Sequence, residues 1–372
     1  MRTMTADLGF LPAWYGSEGD YVLCEGGSPV LPEALCPTVR AVDTASLRAG
    51  LQLPPLLAAP WGISLPSLRM FRDLKREYLP EMDVPAWSER YAELSGRQTA
   101  ALCLEEIRRR LPLPIVPDGP KFFSDPEEVA QMLAKASGGF VLKAPYSSSG
   151  RGLLWMQGGG RPSQSDMQRI VGIIRRQGYV GIEQALDRSL DFALEFYADG
   201  KGNVSYEGLS VFHANEKGVY KHNRLAPQDE LWKLPEACLG DRLRELLPEA
   251  VAGALGRLYA PHYAGYLGVD MFVYRTAEGW RLHPCVEVNL RCTMGWVAVR
   301  LFDSLIDADA RGRFFVDFHK DGALDSHLLM QARYPLQISD GKLSGGYISL
   351  CPVNKSTRYV AGIILADINK NK

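Results

Sequence analysis

The sequence has little that would point to a membrane, a nucleic acid or a secreted protein. No stretch approaches the roughly 20 consecutive apolar residues that a membrane-spanning helix needs. The net charge is −1, and no cluster of lysines and arginines suits a nucleic acid or an anionic membrane. The first residues lack the apolar core of a signal peptide. These absences predict a cytoplasmic protein that binds neither nucleic acid nor membranes.

Closely spaced cysteine pairs are also missing. The seven cysteines are scattered without CxxC spacing, which predicts free thiols in a reducing compartment. The chain has no internal repeat and no low-complexity tract. Its 372 residues, of which 46% are hydrophobic and 23% charged, are typical of a globular protein with two or three domains.

Changes of pattern along the chain predict four parts. Residues 1–94 hold short β-prone runs interrupted by proline and glycine, and are predicted to form a small α/β domain. Residues 95–182 begin with a capping box, Ser95 with Gln98, that predicts the start of an amphipathic helix. Residues 183–310 are dominated by strands, and residues 311–372 are predicted to be a β-rich appendage.

Two common nucleotide-binding fingerprints, GxGxxG opening a helix and GxxxxGK[ST], do not occur at the chain's main glycine-rich loop. Instead, a Gly/Ser loop at residues 147–152 joins two short apolar runs, and the first run ends in Lys143. This pattern predicts two antiparallel strands with a flexible loop between them. Small residues let the backbone approach an anion closely, and Lys143 adds a positive charge. A solvent-exposed hairpin turn is the alternative.

A second polar group lies far along the chain, on a predicted β-hairpin. Glu287 and Asn289 are two residues apart and therefore share one face of their strand. Asp270 lies on the neighbouring strand and is placed to share that face. Two carboxylates and an amide oxygen suit Mg²⁺, and Arg291 is placed to address a phosphate. The alternative is an exposed strand face with ordinary polar residues.

The order of these features resembles the ATP-grasp superfamily, in which a strand lysine and a Gly/Ser loop precede a hinge glutamate and an Asp…Glu-x-Asn hairpin. The resemblance covers roughly residues 95–308. It implies an α/β (α+β) ATP-grasp fold with an N-terminal α/β domain, a central lid domain and a C-terminal antiparallel domain with a β-rich tail. ATP, with Mg²⁺ or alternatively Mn²⁺, would lie between the two central sheets.

The resemblance also implies roles for individual residues. Lys143 would contact the α- and β-phosphates, and Arg97 stands where the family usually has a lysine. Residues 147–152 would close over the triphosphate, residues 183–186 would read the adenine, and Asp191, with Glu195 as its rival, would bind the ribose. The implied nucleotide-binding set is Arg97, Lys143, Ser147, Ser148, Ser149, Gly150, Arg151, Gly152, Glu183, Gln184, Ala185, Leu186 and Asp191. The implied metal ligands are Asp270, Glu287 and Asn289, and the candidate catalytic residues are Arg291, Lys221, Asn223 and Arg224.

The activity that the resemblance implies is ATP-dependent ligation. A carboxylate would be activated as an acylphosphate and then attacked by an amine or another nucleophile, so the partners would be ATP, a small-molecule carboxylate and an acceptor. A homodimer is compatible with this activity. The alternatives are a kinase of the same fold that phosphorylates a hydroxyl, and a nucleotide-binding protein without turnover. Removing the Lys143 side chain is expected to abolish turnover without loss of the fold.

Overall fold

The computed structural model describes residues 2–114, 118–146, 152–215 and 218–366. The helices are α1 (Arg2–Asp7), α2 (Thr44–Arg48), α3 (Leu65–Glu77), α4 (Arg90–Leu94), α5 (Arg97–Arg110), α6 (Pro126–Lys135), α7 (Gln164–Gln177), α8 (Gln228–Leu239), α9 (Leu243–Leu258), α10 (Met294–Leu305) and α11 (Leu324–Arg333). The strands are β1 (Tyr21–Leu23), β2 (Arg40–Val42), β3 (Lys121–Phe123), β4 (Gly139–Lys143), β5 (Leu153–Gln157), β6 (Val180–Gln184), β7 (Asp187–Asp199), β8 (Val204–Ala214), β9 (Tyr220–Leu225), β10 (Ala264–Thr276), β11 (Gly279–Asn289), β12 (Gly312–Phe318), β13 (Gln337–Ser339), β14 (Lys342–Ser349) and β15 (Tyr359–Leu365).

A small antiparallel sheet carries the predicted lysine hairpin. Its strand order is β3-β6-β4-β5, and Lys143 of β4 lies opposite Leu153 of β5. Helices α6 and α7 pack against it around a core of its own, in which Leu142 and Ile170 are fully buried. Helix α6 begins at Pro126, a residue that suits the first helical position, and the Asp125 side chain accepts a hydrogen bond from a first-turn amide.

A second sheet of nine described strands forms the body of the protein, in the order β11-β10-β7-β8-β9-β12-β15-β14-β13. Helices α5, α8 and α9 cover one face through a large apolar core, and α10 lies on the other face against β8 and β9. Helix α5 buries Ala100, Cys103, Leu104 and Ile107, which is the apolar face that the 3.6-residue period predicted. The sheet therefore has both faces packed, with the β10–β11 hairpin at one edge.

The predicted capping box at the start of α5 is wrong. The residue that precedes this helix is Gly96, and no side chain caps the helix. The hydroxyl of Ser95 instead donates to the carbonyl of Tyr91 at 2.7 Å, because Ser95 ends the preceding helix α4. A serine between two short helices satisfies the sequence pattern for a start and for an end equally well.

The predicted β-rich appendage is not a separate unit. Strands β12, β13, β14 and β15 continue the nine-stranded sheet beyond β9. The N-terminal segment shares a core with them, and the indole nitrogen of Trp14 donates to the carbonyl of Leu350 at 2.7 Å. The boundary predicted at residue 310 therefore falls inside one packed layer, and the boundary predicted at residue 182 falls inside β6. The rest of the four-part division stays a prediction.

None of the helices in the described segments combines the length and apolarity that a membrane crossing needs. All seven cysteines lie within those segments and are free thiols, as predicted.

Candidate functional site

Lys143, at the end of β4, is buried and forms an ion pair with Glu183 on β6. Its Nζ lies 2.7 Å from Glu183 Oε2. In the register of these strands Val141 lies opposite Glu183, so Lys143 is the diagonal neighbour of Glu183 on the same face. His283 of β11 brings its Nε2 to 3.7 Å from the same carboxylate oxygen. The ion pair therefore lies where the small sheet meets the hairpin of the large sheet.

Burial is the largest influence on the pKa values of these three side chains. It lowers the pKa of Lys143, and the charge of Glu183 offsets part of that effect. Burial would raise the pKa of Glu183, but the charge of Lys143 and the contact with His283 outweigh it and hold that pKa well below its ordinary value. Burial also lowers the pKa of His283. The arrangement is a buried charged pair beside a neutral imidazole.

Arg97, the first residue of α5, connects the end of β4 to the β10–β11 hairpin. Its Nε donates to the carbonyl of Ala144 at 2.9 Å, and its Nη2 lies 3.1 Å from Glu287 Oε2. Ala144 directly follows Lys143, so the guanidinium lies between the lysine strand and the hairpin carboxylate. Only 10% of the Arg97 side chain is exposed. A contact between Arg97 and a phosphate stays a prediction.

The hairpin places Asp270, Glu287 and Asn289 on one face. Asp270 lies opposite Glu287 and Gly268 lies opposite Asn289, and residues opposite each other in an antiparallel pair point the same way. The shared face that the sequence predicted is confirmed. Arg291 Nη2 donates to Asn289 Oδ1 at 2.8 Å, so Arg291 joins the group through the amide. The metal and catalytic roles of these residues stay predictions.

A third carboxylate, Glu195 on β7, lies opposite Gly268 and is fully buried. Its Oε1 accepts from the hydroxyl of Ser210 at 3.0 Å, and its Oε2 accepts from the hydroxyl of Thr293 at 2.8 Å. A Cβ atom at Gly268 or Gly295 would overlap the carboxylate, so both positions need glycine. The sequence signal is a single acidic residue inside the apolar run FALEFYA. Glu195 is thus a buried neighbour of the hairpin, and its role toward ribose stays a prediction.

We call Glu195, Asp270 and Glu287 the carboxylate cluster. Burial and the negative charges of Glu287 and Glu195 raise the pKa of Asp270 to about 8. Burial raises the pKa of Glu195 to about 7, although Thr293 and Ser210 donate hydrogen bonds to it. The three groups therefore repel one another when they are all ionised.

The carboxylate cluster and the amide of Asn289 together offer a hard divalent cation two kinds of oxygen ligand. Among the described residues, no group of three or more His, Cys, Asp and Glu side chains is arranged to hold a metal ion. The predicted set consists instead of two carboxylates, Asp270 and Glu287, and the amide of Asn289. This amide also accepts a hydrogen bond from Arg291. Mutually repelling, partly buried carboxylates beside an amide oxygen fit Mg²⁺, which takes oxygen ligands and keeps some of its water.

We expect the metal-free protein to lose stability as the pH rises from 5.5 to 8.5. The folded-state pKa values of Glu195 and Asp270 are raised above their unfolded values. The folded protein therefore binds more protons below these pKa values, and that stabilisation is lost as the pH rises through them. The loss in the free energy of unfolding should be roughly 5 kcal/mol, because each group contributes about 1.4 kcal/mol for every pH unit between 5.5 and its folded-state pKa. Urea unfolding with a chelator present measures it, and Glu195→Gln should flatten the curve; an equal slope in that variant would contradict the assignment.

The predicted adenine hinge at Glu183, Gln184, Ala185 and Leu186 lies at the end of β6. The side chain of Glu183 is taken up by the ion pair, and the amide of Ala185 donates to the carbonyl of Gly139 at 2.9 Å. The Ala185 amide therefore continues the ladder of the small sheet and does not face a ligand. Adenine recognition by the remaining backbone groups stays a prediction.

The predicted ribose ligand Asp191 lies on β7 and is mostly buried. Its carboxylate forms an ion pair with Arg188, whose guanidinium lies 4.9 Å above the ring of Phe272. Asp191 is thus held by a neighbour on its own strand, and its role toward ribose stays a prediction.

Most of the predicted phosphate loop, namely Ser147, Ser148, Ser149, Gly150 and Arg151, lies outside the described residues. Gly152 is described, and its carbonyl accepts from the amide of Ala144 at 3.2 Å. This bond extends the pairing of β4 and β5 by one step. The role of the loop over a triphosphate stays a prediction.

The candidate catalytic residues Lys221, Asn223 and Arg224 lie on β9, which β7 and β8 separate from β10. Asn223 is buried, and its Oδ1 accepts from the hydroxyl of Tyr220 at 2.7 Å. The amide oxygen of Asn223 is thus used inside the sheet, and a contact between this residue and a substrate stays a prediction. Lys221 is exposed and Arg224 is half-buried.

No family model matches the sequence, and no curated protein matches it significantly. Solved structures match along most of the chain. N5-carboxyaminoimidazole synthetase from Staphylococcus aureus, complexed with ADP, is 14% identical, with 91% of this chain and 86% of that chain covered and a TM-score of 0.50. Biotin carboxylase from Campylobacter jejuni, in a β-γ-ATP complex, is 12% identical, with 82% and 70% covered and a TM-score of 0.52.

A third similar structure is the biotin carboxylase domain dimer of the Hydrogenobacter thermophilus 2-oxoglutarate carboxylase, in complex with MgADP, ADP and bicarbonate. It is 13% identical, with 87% of this chain and 72% of that chain covered and a TM-score of 0.50. At such identities the likeness establishes a shared fold.

Proposed function

We propose that this chain, which has the ATP-grasp fold of these structures, is an ATP-dependent ligase that joins a carboxylate to an amine or another nucleophile. The observation that carries the proposal is the meeting of two charged groups at the border of the two sheets. The buried Lys143–Glu183 pair lies on one side, the carboxylate cluster lies on the other, and Arg97 connects them. Cations and metal-ligating oxygens on facing sheets are what a triphosphate between those sheets requires.

Each residue has a specific part in the proposal. Lys143 and Arg97 neutralise phosphate oxygens, and the low exposure of both side chains makes their charges more effective than in water. Asp270, Glu287 and Asn289 hold Mg²⁺, and Arg291 fixes the amide of Asn289. Mg²⁺ would supply charge stabilisation at the transferring phosphoryl group. Similar structures are complexed with ADP and with MgADP, which supports the choice of nucleotide and metal.

The reaction moves the γ-phosphoryl group of ATP to a carboxylate oxygen, which gives ADP and an acylphosphate. The nucleophile then attacks the acyl carbon, and inorganic phosphate leaves. Positioning and charge neutralisation are the protein's main contributions to such a transfer. The catalytic roles of Lys221 and Arg224 stay predictions, as do a dimer and a cytoplasmic location; one of the similar structures is a domain dimer.

Hydroxylamine allows the ligase activity to be tested before the natural nucleophile is known. We expect small carboxylates, screened with Mg-ATP and hydroxylamine, to give equal amounts of ADP, inorganic phosphate and a hydroxamate, because hydroxylamine traps acylphosphates. The hydroxamate is measured as its coloured ferric complex, and omission of Mg²⁺ is the control. A phosphorylated alcohol as the product would identify the kinase alternative. Mg-ATP binding without turnover of any carboxylate or alcohol would favour a non-catalytic protein.

A further inference from the structure

A cavity of about 350 Å³ lies on the large sheet, away from the carboxylate cluster. Strands β9, β12, β14 and β15 form its floor and one wall, and helix α11 forms the opposite wall. Its lining residues include neither Lys143 nor Glu287. Small-molecule sites have volumes of roughly 300–1,000 Å³, so the cavity is large enough for a compact ligand.

The floor of the cavity is apolar. Phe315, Tyr347 and Ile364 are buried there in a small cluster of their own. The rings of Phe315 and Tyr347 are inclined by only 19°. Gly362 lies beneath them, and a Cβ atom at that position would come within 2.8 Å of Phe315 Cζ. The backbone therefore makes room for two aromatic rings, and their surface suits an apolar body of a ligand.

The rim of the cavity is basic. Lys221 and Arg313 are exposed there, with Asp317 as the carboxylate that lines the same cavity. Neither cation forms an ion pair within the described part of the chain. Arg313 also lies directly opposite Arg224 in the pairing of β12 with β9, and like charges in such positions repel each other. An anion at the rim would offset this excess of positive charge.

Two of the histidines that line the cavity, His222 and His327, add neutral hydrogen-bonding groups. Burial lowers the pKa of His222 to about 4, with help from the nearby positive charges of His213 and Arg313. His327 Nδ1 lies 2.9 Å from the hydroxyl of Tyr347, which fixes the orientation of its ring. A neutral imidazole can donate to a ligand oxygen as well as accept from a ligand.

We propose that this cavity binds a small organic anion, with a carboxylate or phosphate monoester head at the rim and an aromatic or branched apolar body on the floor. Two cations against the single charge of Asp317 leave a positive rim, which an anionic head would neutralise. The site goes beyond the proposed ligase function, because only Lys221 is shared with the residues assigned to that function. Binding at this cavity therefore requires neither ATP nor Mg²⁺.

Calorimetric titration of the full chain without nucleotide tests the proposal. The probes are 3-phenylpropionate, phenyl phosphate, the neutral 3-phenylpropanol and inorganic phosphate. We expect the two phenyl anions to bind with a dissociation constant of about 1 mM or lower, as suits ligands of this size. The alcohol and inorganic phosphate should bind about tenfold more weakly, since each lacks one half of the recognition. Whichever of the two phenyl anions binds more tightly identifies the preferred head group, carboxylate or phosphate.

Four variants distinguish binding in the cavity from binding elsewhere on the protein. Arg313→Gln should weaken binding of the phenyl anions about tenfold, whereas Asp317→Asn should strengthen it, because it removes the carboxylate at the rim. Arg333→Gln, an exposed change on α11 outside the cavity, is the matched control and should bind as the wild type does. Glu287→Gln should also leave binding unchanged.

Several results would overturn the proposal. Equal affinity in Arg313→Gln and Arg333→Gln would show that the rim does not recognise the anion. If 3-phenylpropanol bound as tightly as 3-phenylpropionate, the anionic head would contribute nothing to recognition. Loss of binding in Glu287→Gln would show that the probe binds at the proposed nucleotide site instead of in the cavity. This result would not contradict the ligase proposal.

Discussion

Replacing Lys143 by methionine should abolish ATP-dependent turnover and also lower the free energy of unfolding by about 3 kcal/mol. The loss of turnover follows from removing a cation that lies at the border of the two sheets. The loss of stability follows from the ion pair, because Glu183 would be left as a buried carboxylate with only a weakly basic His283 near it. Urea unfolding and ADP release measure the two effects separately.

A second substitution distinguishes the structural effect from the functional one. Glu183→Gln removes the carboxylate charge that Lys143→Met leaves unpaired. The double variant Lys143→Met/Glu183→Gln should therefore recover at least half of the lost stability and none of the turnover. Wild-type stability in Lys143→Met alone would mean that the pair is not buried as the structure has it. Turnover that survives in the double variant would show that the nucleotide does not use Lys143.

Part of the structure around Lys143 can be predicted from the sequence. Its apolar runs and glycines predict the hairpin of β4 and β5, and the structure confirms it. The sequence also predicts that the fold survives the loss of Lys143, and the buried ion pair adds the expectation of a lower free energy of unfolding. The pairing with Glu183 depends on the register of β4 against β6, two strands that are about forty residues apart in the sequence. Nothing local to either residue encodes that register.

The partners of Glu195 could not be predicted from the sequence. An acidic residue inside an apolar strand must have partners, and the sequence contains that signal. Its partners come from β8 and from the start of α10, and two glycines leave space for its carboxylate. Such a combination of distant side chains and small residues is a property of packing, not of periodicity.

The resemblance to the ATP-grasp superfamily, in contrast, can be recognised in the sequence because the motifs that carry it come in a fixed order. The hairpin with Asp270 and Glu287 is long, strongly apolar and closed by a glycine turn, so its strands are predicted well. The sequence predicts a separate appendage for the last strands because the pairing between β9 and β12 joins residues that are about ninety positions apart. Long-range pairing of this kind has no local signal.

Replacing Glu287 by glutamine should remove most of the stabilisation that Mg-ATP gives to the protein. A ligand at about 100 times its dissociation constant raises the free energy of unfolding by roughly 2.7 kcal/mol. Glu287 is one of two carboxylates in the predicted metal site, so a neutral amide there should weaken Mg-ATP by orders of magnitude. Turnover with Mg-ATP should fall by a comparable factor.

The stability of the metal-free protein should change little in Glu287→Gln, because two effects oppose each other. Arg97 loses the charge of its partner, which lies 3.1 Å away. Asp270 at the same time loses a neighbouring negative charge that raises its pKa. The net change in the free energy of unfolding should therefore stay within about 1 kcal/mol, and the pKa of Asp270 should fall.

Glu278→Gln is the matched control, since Glu278 lies at the exposed turn of the same hairpin and pairs with Arg281. The measurement is a set of melting curves for the wild type and both variants, each with and without Mg-ATP. Glu278→Gln should keep the full Mg-ATP shift, because its charge is far from the face that carries Asp270. Glu287→Gln should show almost none of that shift at the same nucleotide concentration. An equal Mg-ATP shift in both variants would mean that the hairpin carboxylates do not hold the metal, and the ligase proposal would lose its main support.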